Sequence, residues 1–134
     1  MKQLLSTVLA LTLFAAACAD PVAPPAPTPV VPTITETFSD TLIQLGSNTH
    51  QFTVQQVGGL KVSLSDVNPP TAVSFAVGTQ SLVGCTPISQ QRYEPGATAQ
   101  LSGTATTTGQ FCVMVYDSGT LAEPVTYKVT VLHS

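Results

Sequence analysis

Three cysteines, two histidines and seven carboxylates are what this chain offers for chemistry. The histidines, His50 and His133, have no acidic or cysteine cluster near them in sequence, so a zinc site would need long-range convergence. Solvated histidines at strand ends are the expectation. Serines are plentiful, yet no Gly-x-Ser-x-Gly elbow frames any of them. Glu36 with Asp40, or Asp66 with Asp117, could form acid pairs, but lone surface carboxylates beside turns are the ordinary reading. No enzyme activity, no metal and no cofactor is expected. The three cysteines, Cys18, Cys85 and Cys112, make an odd count, and in an exported chain that asks which one is left over.

For recognition rather than catalysis, aromatic side chains are the residues to find, because sugar rings stack on exposed aromatic faces. Trp is absent and Tyr127 follows a core alternation, which leaves Tyr93 and Tyr116 as candidate platforms, with Arg92 beside the first. Charged residues make up only 8 % of the chain and form no basic cluster, so nucleic acid is not an expected partner.

The N-terminus has the layout of an export signal. Lys2 supplies a positive start, Leu4 to Phe14 an apolar centre, and Ala15-Ala16-Ala17 a small-residue cleavage region. The apolar stretch is shorter than the roughly 20 residues that span a bilayer. Ala15-Ala16-Ala17-Cys18 resembles the bacterial lipobox, with Ala15 standing where Leu is most frequent. The resemblance implies a cysteine acylated on sulfur that becomes the new N-terminus, and Ala19 after it implies delivery to the outer membrane. The same alanines also satisfy an ordinary secretory cleavage, which would leave a secreted or periplasmic soluble protein. Two or more acyl chains, at about 0.8 kcal/mol per buried methylene, anchor stably where one is marginal.

With Cys18 accounted for by lipid, Cys85 and Cys112 are left to pair in the oxidising envelope. Their wide spacing lacks the C-x-x-C geometry of a redox pair, so a structural bridge is expected. Removing residues 1–17 leaves three basic against seven acidic side chains, a net charge of −4.

Residues 18–33 form a linker. Pro21, Pro24, Pro25, Pro27, Pro29 and Pro32 exclude helix and sheet, and predict a stiff polyproline-like spacer reaching on the order of 45 Å, at about 3.1 Å per residue. Residues 34–134 then alternate apolar and polar. The pattern predicts strands at Thr35 to Leu42, His50 to Gln56, Leu60 to Ser65, Val73 to Gly78, Ala97 to Leu101, Gln110 to Tyr116 and Val125 to Val131, with a hairpin at Gly58-Gly59. Gln110 to Tyr116 is apolar on both faces and should be a central strand. Gln80 to Gly96 is the least patterned part, and reads as an irregular stretch suited to recognition. Seven or eight strands with no helix pattern indicate an all-β, antiparallel two-sheet β-sandwich of jelly-roll type. A monomer is expected, with an unidentified protein or glycan partner.

The order of these features resembles the bacterial pre-peptidase C-terminal domain, a small jelly-roll-like sandwich often attached to secreted peptidases. The matching pieces are Thr37 to Leu42, His50 to Val54, Gly59 to Leu64, Gly109 to Tyr116 and Val125 to Val131. The resemblance implies an accessory rather than a catalytic role. Relatives that bind calcium do so through acidic residues, and Ala72 to Val77, where aspartates are frequent in the family, has none.

Overall fold

The computed structural model describes residues 24–28 and 30–134. The signal region and Cys18 lie outside the described residues. From Ile34 onward the chain forms eight strands: β1 (Ile34–Leu42), β2 (Ser47–Val54), β3 (Gly58–Asn68), β4 (Val73–Ser81), β5 (Gly84–Tyr93), β6 (Ala99–Ala105), β7 (Gly109–Tyr116) and β8 (Val125–His133). They make two antiparallel four-stranded sheets, ordered β1-β8-β3-β6 and β2-β7-β4-β5. Only β4 and β5 are sequence neighbours paired within one sheet, and every other connection crosses from one sheet to the other. That order is the jelly roll, which limits open edges by wrapping the strands around a common core.

Period-2 alternation decides which side chains face inward. In β8, Val125, Tyr127, Val129, Val131 and His133 are buried while Thr126 and Leu132 are exposed. Val62 and Leu64 of β3, Phe52 and Val54 of β2, and Phe111, Val113 and Val115 of β7 meet them from their own strands. At about 25 cal/mol per Å² of apolar surface removed from water, this cluster is the main favourable contribution to the fold.

β7 lies between β2 and β4, the central position its apolar run requires. Its outer face is covered as well, which explains why the run does not alternate. β4 is buried on both faces from Val73 to Gly78, with Val73, Phe75 and Val77 inward and the small residues Ser74, Ala76 and Gly78 outward. Over that outer face, Tyr116 Oη donates to Gln90 Oε1 at 3.1 Å, from strands on opposite sides of β4. The Cys85–Cys112 disulfide crosses β4 in the same way, with its Cα atoms 5.8 Å apart.

The crossing depends on Gly78. A register shift between Val77 and Gly78 skips Ile88, and the start of β5 folds over β4 so closely that a Cβ on Gly78 would lie 2.9 Å from the Pro87 Cα and collide with the Thr86 carbonyl oxygen. Small residues under a bulged, disulfide-tied arm are therefore one local device. The bridge closes a loop with a sequence separation of 27. In the chain-entropy picture such a loop stabilises the fold by about 3 kcal/mol. Replacing both cysteines by alanine should lower the urea midpoint correspondingly while leaving the far-ultraviolet spectrum of sheet unchanged.

Three expectations are corrected by the fold. Gly58-Gly59 is no hairpin, because β2 and β3 belong to opposite sheets and residues 55–57 carry the chain across the end of the sandwich. Gln80 to Gly96 is not irregular for most of its length, since Gly84–Tyr93 is an edge strand whose alternation is broken by the bulge at Ile88 and by Pro87. His133 is not solvated: it is 1 % exposed, with Nε2 at 2.9 Å from Glu36 Oε1 and its ring against Phe52.

Candidate functional site

The two flanks of the sandwich are closed in different ways. Where β1 and β2 run as edges, polar and aromatic side chains fill the gap between sheets. His50 Nε2 is 2.8 Å from Tyr127 Oη, which also accepts from Asn48 Nδ2 at 3.1 Å. Phe38 stacks on the His50 ring with centroids 4.9 Å apart. Tyr127 is almost wholly buried, and burial pushes its hydroxyl up to about 12, against the Asn48 bond and with the Asp40 charge adding to the rise. Burial also lowers His50 below its ordinary value, opposed by Asp40. Both shifts favour one arrangement, a protonated tyrosine donating to a neutral imidazole.

His50 was expected in water and instead closes this flank. Because its folded pKa is lowered, the fold disfavours the charged ring: this contribution is complete above the unfolded value near 6.5 and diminishes as pH falls below it. Tyr127→Phe should cost about 1–2 kcal/mol near neutral pH by stranding His50 Nε2 and leaving the Asn48 amide only its bond to the Thr41 carbonyl. The deficit should narrow in mildly acidic solution, where protonated His50 no longer accepts. Denaturant melts of both proteins across that range would show it.

The opposite flank, between edge strands β5 and β6, stays open. A groove of ≈ 230 Å³ runs into the core there, floored by Leu60, Val62 and Leu101 from one sheet and by Val77, Ile88 and Phe111 from the other. Ile88 is 69 % exposed, pushed outward by the bulge. No charged residue lines the groove. Its volume falls below the roughly 300–1,000 Å³ of pockets for small molecules and cofactors. It suits one or two apolar side chains. Near the top of the groove, the two edges are joined by one bond, Gln100 N donating to Gln91 Oε1 at 3.1 Å. The Gln91 amide there takes the place that a further strand's carbonyl would hold beside β6.

The candidate contacts Tyr93, Arg92 and Tyr116 divide between the faces. Arg92 and Tyr116 flank Ser74 on the outer face of their sheet, where Arg92 Nε lies 2.6 Å from Glu94 Oε1. Tyr93 is partly buried against the core. The carboxylates are also separated. Glu36 is engaged with His133, and Asp66 with Lys128 at 2.6 Å.

Asp117 is a correction of another kind, since it is buried at 8 % exposure rather than a surface carboxylate. Its Oδ1 accepts from the backbone N–H of Gly119, Thr120 and Leu121, and its Oδ2 from that of Leu45. Burial alone would raise the carboxyl, but the donors Leu45, Thr120, Leu121 and Gly119 outweigh it and hold the group at about 2. Asp-Ser-Gly marks a turn in sequence; the Leu45 partner, from the loop after β1, has no sequence signal.

No family model matches the sequence, and no curated protein matches it either. Solved structures do. The chain is similar to PliG, a periplasmic lysozyme inhibitor of g-type lysozyme from Aeromonas hydrophila, with a TM-score of 0.55 at 12 % identity over 72 % of this chain and 83 % of that one. It is similar also to the pre-peptidase C-terminal domain of collagenase from Bacillus anthracis, with a TM-score of 0.56 at 14 % identity over 73 % and 89 %. The fold is shared. Identities this low extend to nothing beyond it, and the second structure carries the fold that the order of strands resembled.

Among the described residues, no group of three His, Cys, Asp or Glu side chains could hold a metal ion. The groove was the feature missed by sequence reading. Its one signal is Ile88, an isolated apolar residue in a polar stretch, and nothing local distinguishes it from a surface accident.

Proposed function

We propose that this is a non-enzymatic, lipid-anchored module of the bacterial cell envelope that binds an extended, apolar polypeptide segment in the groove between β5 and β6. The groove carries the reading: it is uncharged, sized for side chains, and bordered by two sheet edges that offer main-chain hydrogen bonds. Both imidazoles serve Tyr127 and Glu36, which leaves neither as a general base. The disulfide fits an oxidising compartment outside the cytoplasm. The two similar structures are an inhibitor and an accessory domain, roles that agree with binding.

A displayed library of short peptides, selected on the folded domain, tests the groove. Alternating apolar sequences should be enriched on the wild type and lost on Leu101→Arg; equal enrichment on both removes the site. Mass spectrometry of the mature N-terminus tests the anchor, with an acylated Cys18 expected and a soluble, unmodified terminus counting against it. That second outcome would favour the alternative of a secreted module. Glycan binding is the weaker reading, because Tyr93 packs on the core and the Tyr116 hydroxyl is bonded to Gln90.

A further inference from the structure

The two ends of the sandwich differ in charge. The chain enters β1 at one end, and the other segments there are residues 55–57, the Leu82-Val83 turn, residues 106–108 and Ser134. Among the described residues, none of these carries a charged side chain: they are Gln, Val, Leu, Thr and Ser. The opposite end holds Glu94, Asp117 and Glu123 in its loops, with Asp40 and Asp66 in the last rows of the sheet beneath. Five of the six acids among the described residues thus lie toward the end away from the linker, two of them paired with Arg92 and Lys128. The sixth, Glu36, lies near the linker end against His133, where Lys61 is the one lysine or arginine.

The loops of the linker end are also apolar at the tip. Leu82 and Val83 are 107 % and 96 % exposed, and Val57 is 55 % exposed. The left-handed position of this turn falls on Gly84, at φ 114, and neither Leu82 nor Val83 has a positive φ, so hairpin chemistry neither excludes nor requires an apolar pair there. Nor is the tip a loose loop. Ser81 Oγ donates to the Gly84 carbonyl at 2.9 Å, and the Cys85–Cys112 bridge begins one residue beyond. The apolar pair is held out by a braced hairpin.

We infer that this end rests on the lipid surface that anchors the chain, with Leu82 and Val83 reaching into the bilayer interface. The inference rests on the anchor reading above. The tether enters on this same end and so turns it toward the bilayer. With the roughly 45 Å spacer laid along the surface rather than standing off it, the effective concentration lets a contact of two or three side chains suffice where free association would fail. Five of the six described acids then lie on the side away from anionic headgroups. The spacer agrees with the surface in kind, since residues 19–33 carry Asp20 as their one charged side chain. Ile43 and Leu45 are exposed at the far end as well, in the loop that Asp117 binds, and serve as the internal control.

The chain has no tryptophan, so a single introduced one reports its own position. Leu82→Trp and Leu45→Trp, in the acylated full chain, would be reconstituted into vesicles of phosphatidylethanolamine and phosphatidylglycerol, with and without brominated acyl chains. Trp at position 82 should emit to the blue of Trp at 45 and be quenched severalfold more by bromine. Equal quenching of the two, in protein that floats with the vesicles, overturns the inference and leaves the anchor standing. Protein that does not float overturns both. A blue shift at 82 that needs an added envelope protein and no lipid also overturns it, in favour of a protein partner.

Discussion

Asp117→Ala should lower the stability of the domain by about 4 kcal/mol, enough to make a small sandwich marginal. The carboxylate gathers N–H groups from two loops that are 72 residues apart at their farthest contact, Leu45 with Asp117. Asp117 N donates in return to the Gly46 carbonyl at 3.0 Å. Deleting the side chain takes the acceptor from four backbone donors, of which the Leu121 N–H is buried and those of Leu45, Gly119 and Thr120 are partly buried. A buried donor without a partner costs about 1–3 kcal/mol, and a partly wetted one less. Leu45 adds to the loss: it sits at φ 54, a left-handed conformation that Leu adopts at a cost and that the Asp117 bond supports. Asp117→Asn keeps the shape but loses the charge, and should recover part of the loss.

The same contacts set an acid limit. The folded carboxyl lies at about 2, below its ordinary 3.8, so its contribution is present above the unfolded value and is lost as pH falls from about 4 through 2. A shift of that size corresponds to roughly 2 to 3 kcal/mol. Chemical denaturation from neutral pH downward should show a fall in stability across that window, and the fall should be smaller in Asp117→Asn.

Gly78→Ala is the second substitution with a large expected effect, about 3 to 5 kcal/mol. The added methyl meets the backbone of Thr86 and Pro87 rather than the movable end of a side chain, so nothing can rotate aside. The start of β5 must lift off β4, and Cys85 moves with it, away from Cys112. Two readouts separate this from ordinary destabilisation. Thiol labelling of the unreduced variant should find free cysteine, and amide protection should be lost first along Gly84 to Thr86. Ala76→Gly, two residues along the same outward face, should cost far less and leave the disulfide formed. Full oxidation of Gly78→Ala with unchanged melting would contradict the crossing.

Much of this architecture is legible in the residues, and the reason is physical. β3, β7 and β8 read correctly because burial on one face, or on both, writes itself into alternation or into an unbroken apolar run. The disulfide follows from cysteine count once Cys18 is set aside. What does not read is whatever depends on a partner far along the chain. β5 is an edge strand with Pro87 and a bulge, so no alternation remains to betray it. His133 looks terminal and solvated, yet β1 lies beside it and delivers Glu36 to its ring. The groove arises because β5 and β6 diverge below Gln91 and Gln100, a relation between two edges that no local pattern encodes.

The position of β8 bears on when the domain can form at all. The eighth strand in chain order sits between β1 and β3, and without it β1 has no partner in its sheet. With long-range pairings throughout, the chain resembles the slow-folding, high-contact-order class. A chain lacking β8 therefore leaves its first sheet open, and folding of the domain is deferred until the eighth strand is in place.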